Sequence, residues 1–314
     1  MKWSKFFMAS IFIIGAFNAK LFANNDIDTS DAGSESISGP YQPHSSSKSP
    51  FSFSAFTDVM GKAKINKGLF KKDKVQFAIT NAEAAAVFYY CPKFSEAASA
   101  TLGYTNTYFD WDGNPHFNQT HFDTITLSLS GMTKRFDRWL WRGQIDINYD
   151  GFEELKASYF SYNLIMWGRY SFCQAVGLHM GFYIETGMRM DRIYPILGFD
   201  WQINSKWRLN AVFPFNMALE YAYADHWTFA LAGRTFSSRH RIQPDYFGDS
   251  ELFRYTNFGL EAMVKYTLGD IVANLHTGVT TGGRFKIANA SNHHPDHYNL
   301  DPTGYIGGEL DMRF

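Results

Sequence analysis

Three imidazoles and a carboxylate crowd into five residues at His293-His294-Pro295-Asp296-His297, the most ligand-like run in the chain. Imidazole nitrogens and a carboxylate oxygen suit zinc or copper, which makes His293, His294 and His297 candidate metal ligands. A loop braced by one proline fixes such geometry poorly, so a solvated outer loop is the weightier expectation. A nucleophile needs a base beside it, and the nearest approach is Ser237-Ser238-Arg239-His240 with Asp245 close in sequence. That grouping is too loose to assign a catalytic residue. His179 and His276 stand alone and read as hydrogen-bonded wall residues. No phosphate-binding glycine loop or dinucleotide fingerprint sits in a strand-to-helix context, so no cofactor is expected.

Other charges recur at every second position inside apolar stretches. Trp139, Trp141, Gly143, Ile145, Ile147 and Tyr149 alternate with Arg142, Gln144, Asp146, Asn148 and Asp150. Such a period-two pattern is a strand between two unlike environments. The same pattern places Arg169, Glu185, Arg189, Asp200, Glu220, Arg234, Glu261, Lys265, Glu309, Asp311 and Arg313, together with Arg142 and Asp146, on one face, and Leu164, Phe182, Phe199, Leu231, Leu260 and Leu275 on the other. A closed barrel whose wet interior takes the charges and whose outside meets lipid uses this pattern; a soluble sandwich or propeller would be insoluble with so many outward aromatics. The mixed signs of the interior set suit either ion pairs that hold the wall in shape or a constriction that sorts solutes by charge.

Counting from Phe51 gives 14 strands, with 12 as the alternative if the pair around Pro214 is distorted. The reading is an all-β, antiparallel, up-and-down transmembrane β-barrel over residues 51–314. Links after even-numbered strands are short and the long links follow odd-numbered ones, the asymmetry of periplasmic turns and outer loops. One stretch is irregular: a face through Val75, Phe77 and Ile79 directed at lipid carries Glu83 with it, so a β-bulge or strand end is expected near Asn81 to Ala84. Residues 241–252 and 287–299 read as polar outer loops.

Lys2 and Lys5 precede an apolar run from Phe6 to Phe17 that is too short for a membrane anchor, so residues 1–23 read as a secretory signal peptide cleaved after Ala23. The Ser, Gly, Pro and Asn-rich residues 24–50 cannot bury enough apolar surface to order themselves and read as a flexible periplasmic linker. Removing Lys2, Lys5 and Lys20 leaves 29 − 3 = 26 basic residues against 30 acidic, a charge of −4 that gives no reason to expect nucleic acid. The two cysteines, Cys91 and Cys173, are too few for a disulfide scaffold or a four-thiolate metal site, but both fall in turns on the same side and could pair.

The last strand, GYIGGELDMRF, sets Ile306, Gly308, Leu310, Met312 and Phe314 on one face and ends on an aromatic residue. It resembles the terminal signal by which bacterial outer-membrane β-barrels are recognised for assembly. The region from Phe51 to Phe314 is similar to the outer-membrane barrels, and in particular to an uncharacterised family whose middle strands read like GFDWQINSKWRLNAVFPFNMALEYAYADHWTFALAG. That resemblance implies a Gram-negative outer membrane, contact with its lipid and with the barrel-assembly machinery, and no established substrate or catalytic residue. The His-x-Ser-Asn type of arrangement of outer-membrane phospholipases and deacylases is missing, which leaves lipid hydrolysis a remote reading and a non-enzyme the expectation. A porin-like passive channel or uptake barrel for small polar solutes is the leading expectation. A structural or surface-interaction barrel with a closed lumen is the alternative.

Overall fold

The computed structural model describes residues 50–66, 73–113, 119–151, 156–188, 191–214, 216–242, 251–288 and 296–314. Alternating apolar and polar residues become fourteen wall strands: β1 (Phe51–Met60), β2 (Lys74–Cys91), β3 (Glu96–Trp111), β4 (His121–Thr133), β5 (Trp139–Asp150), β6 (Phe160–Cys173), β7 (Val176–Gly187), β8 (Arg192–Gln202), β9 (Trp207–Phe213), β10 (Asn216–Ala224), β11 (Trp227–Ile242), β12 (Glu251–Leu268), β13 (Ile271–Thr280) and β14 (Gly304–Arg313). Each pairs antiparallel with the next, and β1 also pairs with β14, which closes the wall. Phe51 and Phe314 exchange backbone hydrogen bonds across that seam, at 3.3 and 3.1 Å. The region around Pro214 is regular wall, since β9 pairs with both β8 and β10. Two one-turn 3-10 segments, Pro92–Phe94 and Ala157–Tyr159, lie in links.

The pleat sorts the side chains. Leu275 is 72% exposed and Ile306 64%, while their strand neighbours Asn274, His276 and Tyr305 are buried. A rim of aromatics decorates the outside near the short turns: Trp139 stacks on Trp141, Trp139 also meets Tyr170, and Trp207 meets Tyr221. Gly168 leaves room for that rim, because a Cβ there would sit 2.9 Å from the Trp141 ring. Aromatic girdles of this kind mark membrane barrels.

Several sequence expectations change. No bulge interrupts β2 at Asn81 to Ala84; Asn81, Glu83 and Ala85 keep register with Thr105, Gly103 and Thr101, and the shift comes at Val87 and Tyr89 instead. Val75 and Phe77 are buried inside, and Glu83 shares that inner face. The inner face of β2 is simply apolar at one end, so no bulge is needed to keep Glu83 from lipid. The expected loops at 241–252 and 287–299 are partly strand: β11 reaches Ile242, β12 starts at Glu251, and Arg284–Ala288 and Asp296–Asn299 form a short hairpin against β12. The cysteines are free, with Cys91 at the end of β2 and Cys173 at the end of β6. Four strand spacings separate them, on the order of 19 Å along the wall, beyond the reach of a disulfide. The expected signal peptide and linker lie outside the described residues, Pro50 excepted.

Candidate functional site

Beyond the point where β13, β14 and β1 stop, the tall ends of β11 and β12 carry on and recruit the short strands. Arg284–Ala288 pairs with Leu252 to Thr256 of β12, Asp296–Asn299 pairs with Arg284–Ile287, Leu300 bridges Ile65, and Ala63–Lys64 pairs with the start of β2. This mouth sheet leans across the barrel. In the ring of fourteen, β4 is as far from β11 as any strand, yet the Phe122 ring of β4 stacks on the His240 ring of β11 with centroids 4.5 Å apart. A fourteen-stranded wall is roughly 25 Å across between backbones, which side chains alone do not bridge.

The mouth sheet has two faces. One buries Phe253, Tyr255, Phe285, Ile287 and Tyr298 against Phe77 of β2, Phe109 of β3 and Phe122 of β4. Phe77 stacks on Tyr255 at 4.4 Å, and Phe253 meets Phe109 edge-on at 4.9 Å. The result is an apolar plug at the end with the long links. Asp150, the last residue of β5, tethers it: its carboxylate accepts from the His240 ring Nδ1 at 2.7 Å and from the Arg241 backbone N–H at 2.6 Å. Arg241 Nε donates to the Ser158 carbonyl at 2.6 Å.

The carboxylate at His240 is therefore Asp150, while Asp245 lies outside the described residues. Ser238 Oγ and His240 Nε2 are buried and each lacks a hydrogen-bond partner among the described residues, so the serine is not joined to the imidazole as a nucleophile is to its base. His240 holds the plug in place.

Below the plug the inner face carries two polar networks beside an apolar patch of Ile165, Trp167, Ile196 and Val212. At the seam, Arg234 grips Glu261 bidentately, Nε to Oε2 at 2.9 Å and Nη2 to Oε1 at 3.1 Å. Tyr305 Oη donates to the same carboxylate at 2.9 Å, and Asp58 of β1 lies 3.6 Å from Arg234. His276 joins Asp58 through Nε2 and the Asn274 side-chain oxygen through Nδ1, while Asn274 Nδ2 donates to Glu309. With the amide oriented by Glu309, both His276 nitrogens face oxygen atoms, of Asp58 and of Asn274. Five strands, β11 to β14 and β1, are thus joined by one network.

A second network sits nearer the turns. Arg169 holds Asp200 through Nε at 2.7 Å and Nη2 at 2.9 Å, with Arg208 3.5 Å away. His179 Nε2 lies 2.7 Å from Asp200, and Trp167 Nε1 donates to His179 Nδ1 at 2.9 Å. An indole nitrogen only donates, so Nδ1 accepts, the proton sits on Nε2 and His179 is neutral. Gly177 is required beside this pair, since a Cβ would lie 2.3 Å from the Asp200 carboxylate.

Of the residues singled out by alternation, Asp146, Asp200, Glu220, Arg234, Glu261 and Asp311 are buried on the inner face, and Arg142, Arg169, Glu185, Lys265, Glu309 and Arg313 are partly buried there. Lys265 approaches Glu220 at 3.9 Å, and Arg313 approaches Asp270 at 4.0 Å. Arg189, His293 and His294 lie outside the described residues; His297 is exposed on the short hairpin opposite Lys286. Among the described residues no group of three metal-ligating side chains forms. Sequence reasoning passed over Asp58, Arg208, Asp150 as a tether, and Tyr305. The alternation of Ser52, Ser54 and Asp58 with Phe51, Phe53, Ala55 and Val59 is the sequence signal for the first.

No family model matches the chain. It is similar to uncharacterized chlamydial proteins. One of Chlamydia pneumoniae is 23% identical over 202 residues, and one of Chlamydia trachomatis serovar D is 22% identical over 204; each match covers 63% of this chain and 63% of the relative. Among solved structures, a deletion mutant of the monoaromatic hydrocarbon channel TodX aligns with a TM-score of 0.37 and 8% identity, over 85% of this chain and 91% of that one.

Proposed function

We propose that this chain is an outer-membrane barrel that passes small polar solutes through a mouth held shut, in the described state, by the β11–β12 insert. The stacking of Phe122 on His240 across the ring carries this reading, because it puts an apolar plug where an open porin would have its entrance. The exposed outer belt supports the location, since an apolar surface of that extent needs lipid around it. Lipid and the barrel-assembly machinery are the partners a closed barrel with such a belt calls for. Few hydrogen bonds tether the plug, two to the Asp150 carboxylate and one to the Ser158 carbonyl, which suits a gate: two arrangements separated by a few kcal/mol. The same plug also favours a second reading, a permanently closed barrel that acts through its outer loops.

Planar-bilayer recording separates the two. The wild-type barrel is expected to show brief stepwise openings between long closed periods. Absence of any step in both the wild type and Asp150→Ala would remove the channel reading and leave the surface-interaction barrel.

A further inference from the structure

The second face of the mouth sheet carries a row of cations. Arg239 stands opposite Arg254 in the β11–β12 register, Arg254 opposite Lys286 of the short hairpin, and Lys286 opposite His297. Directly opposed residues of an antiparallel pair share a face with Cβ atoms about 5 Å apart, and like charges so placed repel. Arg192, at the start of β8, faces the same row closely enough to act electrostatically on both Arg239 and Lys286. Burial, with Arg192 and Arg254 nearby, pushes the Lys286 ammonium down from its ordinary value.

Glu185 of β7 approaches the row, 3.5 Å from Arg239 Nη2. It does not complete the guanidinium. Arg239 Nη1 is buried with no hydrogen-bond partner among the described residues, and its side chain is only 10% exposed. A buried guanidinium nitrogen without an acceptor costs free energy unless an acceptor arrives. Arg254 and Lys286 are half-buried and Arg192 is exposed, so the row keeps solvent-accessible surface among the described residues.

We propose that the Arg239–Arg254–Lys286 row, with Arg192, is a binding site for a phosphate group, free or on a small solute, at the barrel mouth. Guanidinium forks match the oxygens of a tetrahedral oxyanion, and a phosphate carries about −1.5 to −2 charge at neutral pH, enough to relieve more of the repulsion along the row than a carboxylate would. The site deepens the gated-channel reading, because it lies on the gate itself, but binding is measurable whether or not the barrel conducts.

Calorimetric titration of the folded barrel in detergent with inorganic phosphate, against chloride as a control, tests it. Saturable phosphate binding is expected, weakened at least tenfold by Arg239→Gln with Lys286→Gln. Glu185→Gln frees Arg239 from its competing carboxylate and is expected to tighten binding. Lack of saturable binding by the wild type overturns the proposal, as does an affinity that none of these substitutions changes. Phosphate binding without any conductance would sink the channel reading alone.

Discussion

Glu261→Ala is expected to destabilise the folded barrel by about 3–5 kcal/mol, the usual cost of stripping one partner from a buried ion pair. Glu261 accepts both arms of Arg234 and the Tyr305 hydroxyl, so its loss leaves a guanidinium and a phenol without their acceptor in the closing seam. Because β1 and β14 close the wall at that seam, the effect should appear as loss of the compact, heat-modifiable band on a denaturing gel and an earlier urea transition. Arg234→Met combined with Glu261→Leu removes both charges together. It is expected to recover most of the loss, since a well-packed apolar pair can match a buried salt bridge. If the single and double variants unfold alike, the pair is not what secures the seam.

Asp150→Ala is expected to shift the gate. Two hydrogen bonds to a charged carboxylate, from His240 and from the Arg241 backbone, tie the mouth sheet to β5. At roughly 1.5 kcal/mol or more each, their loss weakens docking by about 3 kcal/mol, which is on the order of a hundredfold in the open population. The aromatic contacts of Phe253 and Tyr255 remain, so the barrel should still fold and the change should appear in open probability rather than in yield. An open probability equal to wild type would show that the tether does not control the mouth. Asp150→Asn, which keeps an acceptor oxygen, should fall between the two.

The wall was legible because its code is local. In β5, Ile145 and Ile147 against Asp146 and Asn148 state two environments with no knowledge of the rest of the chain, and the same holds for Leu275 against Asn274 and His276. Which environment lies inside is not local. At Val75 and Phe77 the apolar side faces inward, because the mouth sheet buries it, and reading apolar as lipid-facing turned that part of β2 the wrong way. The mouth sheet itself is written plainly enough in Phe253, Arg254 and Tyr255, and in Phe285, Lys286 and Ile287, each a short two-faced strand. The neighbouring histidines, aspartates and proline made those stretches read as loops. Nor could spacing join His240 to Asp150, which lie 90 positions apart and meet only because the hairpin crosses the ring.

The charges of the inner face show the same division. Alternation located Arg169 and Asp200, or Arg234 and Glu261, on one side of the wall. Their pairing followed from register and from strands that close the ring, and Asp58 joined only through the seam. The row Arg239, Arg254 and Lys286 comes from three separate strands and depends on a register that no single stretch encodes.

The crossing of the lumen is tested most directly by cross-linking residues 122 and 240. In a background of Cys91→Ser and Cys173→Ser, Phe122→Cys with His240→Cys places thiols on opposite strands of the ring whose native rings stack at 4.5 Å. A short bifunctional maleimide is expected to join them within one folded barrel, giving a distinct gel mobility. If the pair stays unlinked while cysteines on adjacent strands of the same barrel link readily, the β11–β12 insert does not cross the mouth and the gate described here does not exist.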